Sequence, residues 1–113
     1  TQPQVARVLC PMLPSDPGHA LWSRDFTGGC GLFGFVLAST DRGAAARVVD
    51  ALELFGIGYS WGGFESLALA ITPQDYRTVM PCPDRDGPAI RLAIGLEHTD
   101  DLIADLAQAL AAA

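Results

Sequence analysis

The sequence predicts an α+β fold: a small two-layer α/β sandwich, with a mostly antiparallel sheet and its helices on one face. Three observations carry this expectation. Leu67, Leu69 and Ile71 alternate with Ser66, Ala68 and Ala70, and Ile90, Leu92 and Ile94 alternate with Arg91, Ala93 and Gly95, which is the period of strands. Leu32 to Ala38 is an almost continuous apolar run of strand length, as expected of a central strand. Ala45, Val48, Val49, Leu52 and Phe55, and later Leu102, Ile103, Leu106 and Leu110, recur at the spacing of a buried helical stripe. At 113 residues and 50% hydrophobic content the chain fits one domain that buries roughly two-thirds of its unfolded surface. A second domain does not fit within it.

Taken in order, Val5, Val8 and Leu9 suggest a short edge strand stopped by Cys10-Pro11. Three prolines and a glycine between Pro11 and Gly18 make a loop, and a short helix over His19 to Asp25 should bury Leu21 and Trp22. Thr27 to Gly31 is a second loop before the strand at Leu32. Asp41 is placed to cap the next helix, whose outer side carries Arg42, Asp50 and Glu53. Gly56 should end that helix in the left-handed conformation, with Ile57 folding back on the last turn. A glycine-rich bend, Gly56 to Gly63, leads into the strand at Leu67. Thr72 to Pro88 is a proline-broken connection with one helical turn around Gln74 to Thr78. The last helix begins near Thr99, with Asp100 and Asp101 where the helix dipole favours carboxylates. If the bulky faces of the two alternating strands meet the helices, Arg91 lies on a face lined by Ala and Gly, with room for a ligand or another domain.

Charge and composition narrow the chemistry. Seven basic residues against thirteen acidic ones give a net charge of −6, without the basic patch that phosphate-backbone binding requires, so nucleic acid is not an expected partner. All seven basic residues are arginines: with no lysine, the chain cannot supply a Schiff-base amine or a lysine general base. Cys10, Cys30 and Cys82 lack metal-ligand spacing and read as free structural thiols of a reducing compartment. The apolar runs fall far short of the ~20 residues of a membrane span, and no basic-then-apolar leader follows Thr1. The expectation is a soluble, cytoplasmic chain with no membrane contact.

Two features stand out as candidate sites. An arginine inside a strand, Arg91 between Ile90 and Leu92, is either a surface or salt-bridged group or a clamp for a carboxylate, whose two oxygens match the guanidinium fork. Tyr59-Ser60-Trp61-Gly62-Gly63 puts two rings and a hydroxyl on a bend where backbone can approach a ligand; alternatively it is a turn whose tryptophan fills the core. His19 and His98 read as surface or capping residues, and Glu65 and Glu97 as solvent or capping groups. No catalytic triad, metal motif or phosphate loop is visible.

Several segments, in order, resemble the C-terminal small domain of cystathionine β-lyases, fold-type I pyridoxal phosphate enzymes of Cys/Met metabolism. They are Pro3 to Leu9 with Pro-x-Leu-Pro, Gly18-His19 to Trp22, Arg24 to Gly28, Gly31-Leu32-Phe33, Tyr59 to Leu67, Ile90-Arg91-Leu92, and Ile94 to Glu97 with Asp100 to Leu106. Tryptophan in Ser60-Trp61-Gly62-Gly63 resembles the β-lyase branch, where the γ-synthases and γ-lyases usually have leucine. Cys10, Cys30 and His98 depart from the family pattern.

The resemblance implies that Arg91 holds the substrate α-carboxylate, helped by Ser60, the Trp61 backbone N–H and Tyr59. It also implies that the cofactor, pyridoxal 5'-phosphate, is held by a larger N-terminal domain outside this chain, so that residues 1–113 contain no catalytic group and are inactive and cofactor-free alone. The full-length enzyme would be a cytoplasmic homotetramer of methionine biosynthesis, acting on cystathionine or a related thioether or disulfide amino acid. The alternatives are a cystathionine γ-lyase, a γ-synthase, a methionine γ-lyase, a non-catalytic amino-acid-binding module, or an interaction domain.

Overall fold

A computed structural model describes residues 2–59, 62–75, 78 and 87–113. Five strands, β1 (Val5–Leu9), β2 (Leu32–Leu37), β3 (Gly56–Ile57), β4 (Leu67–Ile71) and β5 (Ala89–Ala93), form one sheet in the order β1-β2-β5-β4-β3. The β1–β2, β2–β5 and β4–β5 pairings are antiparallel and β3–β4 is parallel, so the sheet is mixed and mostly antiparallel. Its middle strand is β5, with β2 inside one flank and β1 at the edge. The segment containing Cys82, Pro81 and Pro83 lies outside the described residues; among the described residues of the connection, a 3-10 turn spans Pro73–Asp75.

Helices α2 (Ala44–Asp50) and α3 (Thr99–Ala109), with a 3-10 turn at Leu110–Ala112, cover one face. Phe35, Leu37, Ile90, Leu92 and Ala68 from the sheet pack there with Ala44, Ala45, Val48, Val49, Leu102, Ala109 and Leu110. This is the anticipated α+β sandwich. The expectation for the faces is half corrected. Register pairs Ala68 with Leu92, Ala70 with Ile90, and Leu69 with Arg91. Directly paired residues share a face, so β5 turns its bulky side chains to the helices, while β4 turns its small ones. Ala68 and Ala70 leave room for α2 over β4, and Leu67, Leu69 and Ile71 stand beside Arg91 on the other face. The Arg91 face is therefore not lined by Ala and Gly alone.

The first helix, α1 (His19–Asp25), forms at the expected residues but buries none of them: Leu21 is 60% exposed and Trp22 is partly exposed, stacked on His19 with ring centroids 5.8 Å apart. Its three apolar residues, Ala20, Leu21 and Trp22, are consecutive and form no stripe at helical spacing to dock the helix on the sheet. Asp41 does not cap α2 as anticipated: the N-cap is Gly43, without a side-chain cap, and Asp41 stands in the turn before it, its Oδ1 accepting from Gly43 N at 2.9 Å and its Oδ2 from Arg47 Nη1 at 2.7 Å. Helix α2 then stops at Asp50, five residues short of Phe55, which nevertheless enters the core. Gly56 does not cap it. Gly56 is a β3 residue paired with Leu67, and Ile57 is exposed instead of folding back.

What replaces the glycine cap comes from α3. Asp105 is 6% exposed, and its two oxygens accept from Glu53 N and Leu54 N, each at 2.9 Å. Gln108 Nε2 donates to Ala51 O at 2.7 Å and to Asp105 Oδ1 at 2.9 Å. Burial alone would raise the Asp105 carboxyl, but the N–H groups of Glu53 and Leu54 and the Gln108 amide outweigh it and hold it below the ordinary carboxylate range. The buried stripe of α3 is corrected accordingly: Leu102 and Leu110 are buried, Leu106 is half-buried, Asp105 takes a core position, and Ile103 is exposed.

Candidate functional site

Arg91 sits at the middle of β5, the middle strand, paired with Gly34 on one side and Leu69 on the other. Gly34 has no side chain to stand beside the guanidinium, so Leu69 alone flanks it from the directly paired positions. Arg91 is half-buried, and its guanidinium carbon lies 5.5 Å from the centroid of the Tyr59 ring, within reach of a cation–π contact. Among the described residues, no carboxylate forms an ion pair with it; the arginine ion pairs are Arg24–Asp25, Arg42–Asp75 and Arg47–Asp41. A half-buried guanidinium in that setting favours an anion supplied by a ligand.

Tyr59 reaches Arg91 because the bend carrying it is closed at its neck. Gly56 N donates to Ser66 O at 2.9 Å and Gly58 N to Ala68 O at 3.3 Å, so the chain leaves β3 and re-enters β4 side by side. Within the bend Gly62 takes φ of 73°, a left-handed conformation that glycine adopts without a side-chain penalty. Tyr59 is 72% exposed, so the residue is open to a ligand or a neighbouring surface. Structure thus brings two of the four anticipated residues, Arg91 and Tyr59, together. Ser60 and Trp61 lie outside the described residues.

The neck is fastened just beyond β5 by Glu97, which is held by Ser66 and is not the solvent or capping group expected from sequence. Ser66 is 0% exposed; its N and Oγ donate to the two oxygens of Glu97, each at 2.7 Å, and its Oγ accepts from Gly95 N at 2.9 Å. Leu96 N donates to Phe64 O at 2.9 Å beside it. The Ser66 hydroxyl and backbone N–H hold the Glu97 carboxyl below its ordinary range. The available signal was a small polar residue entering an apolar strand, at Ser66, with a carboxylate just after the next strand.

His98 acts as a helix cap, its Nδ1 accepting from Asp100 N at 3.3 Å, and His19 Nδ1 lies 2.9 Å from Pro11 O at the surface. Cys10 and Cys30 are free thiols, and the described residues contain no cluster of His, Cys, Asp or Glu able to hold a metal. No described helix is long and apolar enough to cross a membrane.

A family model described as Cys/Met metabolism PLP-dependent enzyme matches residues 1–111. The chain belongs to that family. A putative cystathionine beta-lyase of Rhizobium johnstonii is 56% identical over 113 residues, covering 96% of this chain and 28% of that protein. Cystathionine beta-lyase MetC of Escherichia coli is 51% identical over 107 residues, covering 92% of this chain and 27% of its own length. Human cystathionine gamma-lyase is 40% identical over 118 residues, covering all of this chain and 29% of its own length. The chain therefore spans less than a third of the curated relatives it matches.

For a member of this PLP-dependent family, one absence in the sequence is decisive. Pyridoxal phosphate is anchored through a lysine amine, and all seven basic residues here are arginines. These 113 residues do not fit the covalent attachment of the cofactor. They do present a guanidinium beside an aromatic ring.

Proposed function

We propose that this chain is the C-terminal small domain of a cystathionine β-lyase-type carbon–sulfur lyase, and that its part in the reaction is to hold the substrate's α-carboxylate. Supporting this are the 46–56% identity to proteins named cystathionine beta-lyase and, as the single observation that carries the role, Arg91 facing Tyr59 with no described carboxylate as ion-pair partner. In this reading, the two carboxylate oxygens meet the guanidinium fork. Ser60 and the Trp61 N–H add donors from the bend, and Tyr59 lies against Arg91 to limit its movement. A carboxylate fixed there orients the rest of the amino acid, so that its Cα–H bond is presented in one direction.

Pyridoxal phosphate, which in this reading would be held outside residues 1–113, would supply the electron sink for carbon–sulfur bond cleavage. Cystathionine and water would give homocysteine, pyruvate and ammonia. Cytoplasmic location, homotetrameric assembly and a place in methionine biosynthesis rest on the family resemblance alone.

The test uses the longer protein. Arg91→Ala should raise KM for cystathionine strongly while leaving cofactor absorbance intact, a loss of about 2–5 kcal/mol for truncating one side of a charge-paired contact. Unchanged kinetics would remove Arg91 from the site. A second reading, γ-elimination, is favoured by the 40% identity to human cystathionine gamma-lyase along the whole chain. Pyruvate as the keto product from cystathionine supports the β-lyase reading; 2-oxobutyrate supports the γ-lyase one.

A further inference from the structure

We infer that Ser66 and Glu97 are positioning residues for the carboxylate site, locking the bend that carries Tyr59 to the strand that carries Arg91. This rests on the proposed role of Arg91. The two halves of that site come from different parts of the chain, and beside the β4–β5 pairing and the Leu96 N–Phe64 O hydrogen bond, Ser66 and Glu97 join them at the neck of the bend. Gly56, on the entering leg of the bend, donates to Ser66 O, and Ser66 is itself the leaving leg. Glu97, four residues beyond the end of β5, receives both the N–H and the hydroxyl of Ser66, while the same hydroxyl takes the N–H of Gly95.

The geometry fits a register device better than a generic packing contact. Both Glu97 oxygens are used, at 2.7 Å each, by consecutive donors of one residue, which fixes Ser66 in translation and rotation together. The backbone packs closely here and needs a glycine at position 95, where a Cβ would lie 2.6 Å from Glu97 Oε2 and 2.6 Å from Glu65 C. Through this lock, a displacement of Glu97 moves the whole neck, and with it Tyr59, relative to Arg91. Neither Ser66 nor Glu97 needs to touch the substrate for that to change binding.

The experiment is a double-mutant cycle in the longer protein, measuring kcat/KM for cystathionine with Glu97→Gln, Arg91→Lys and both together. Glu97→Gln keeps the side chain's shape but replaces one acceptor oxygen by a donor, so folding is checked by thermal melting and cofactor absorbance. Displacement of a binding group by a fraction of an ångström lowers kcat/KM about 10-fold or more. The expected result is therefore an about 10-fold loss, carried mainly by KM, for Glu97→Gln in the Arg91 protein, and a loss of less than about 2-fold in the Arg91→Lys background. Equal losses in both backgrounds would show that Glu97 only stabilises the fold, and no loss in the Arg91 protein would overturn the inference while leaving the Arg91 reading intact. If Arg91→Lys itself has no effect, the carboxylate reading fails and the inference falls with it.

Discussion

Replacing Asp105 by asparagine tests the joint between α2 and α3. The carboxylate accepts from Glu53 N, Leu54 N and Gln108 Nε2, each at 2.9 Å, at a position only 6% exposed. Asparagine keeps one acceptor oxygen and presents a donor in place of the other, leaving one backbone N–H facing an N–H. An orphaned buried donor costs about 1–3 kcal/mol, and the remaining contacts lose their charge assistance, so a total near 3 kcal/mol is expected. For a domain of this size that lowers Tm by roughly 10–20 °C.

The pH dependence identifies the cause. Because the folded Asp105 carboxyl is held below its ordinary value of 3.8, its contribution is fully present above that value and is lost as pH falls through the lower, folded one. The stability gap between the native chain and Asp105→Asn, measured by urea unfolding, should thus be constant from pH 7 to about 5 and close below the unfolded carboxyl's pKa of about 3.9. Amide exchange at Glu53 and Leu54 should accelerate in the variant. A gap that persists unchanged at acid pH, or native-like protection of both amides, would refute the reasoning.

Gly95→Ala should destabilise the chain by about 3 kcal/mol or more in urea unfolding, since its Cβ would collide with Phe64 O and crowd Glu97. Gly62→Ala, with open space around it but a φ of 73°, should cost only about 1 kcal/mol by the same measurement. Glu97, lowered by Ser66, should add an acid-side loss of stability as pH falls through its folded value, and Ser66→Ala should flatten that loss in a pH series of thermal melts. The 113-residue chain mixed with pyridoxal phosphate should retain no stoichiometric cofactor absorbance after gel filtration, because it has no lysine.

Local pattern was enough to locate most elements. The limits of β1 and α1, the apolar run of β2 and the strand around Arg91 follow from periodicity and breakers that act within a few residues. The meeting of Arg91 with Tyr59, thirty-two positions apart in the chain, was legible only through resemblance, since alternation assigns faces without saying which one the helices take. That choice for β4 was decided by register with β5, where Ala68 opposes Leu92. The contacts made by Ser66–Glu97 and by Asp105 join residues 31 and about 52 positions apart, and neither leaves a periodic trace. Asp105 is hidden further because a carboxylate in a helical stripe reads as solvent-facing until its donors are known.

The strand order has a consequence for biosynthesis. β5, the last of the described strands in chain order, lies between β2 and β4, and no described pairing joins β1–β2 to β3–β4 without it. A ribosome that has released residues up to 88 has therefore produced two separate strand pairs with open edges and long loops still to close. The same late strand delivers Arg91. Joining the sheet and bringing Arg91 to Tyr59 are one event, so a chain stalled before β5 displays only unpaired strand edges for quality control to recognise.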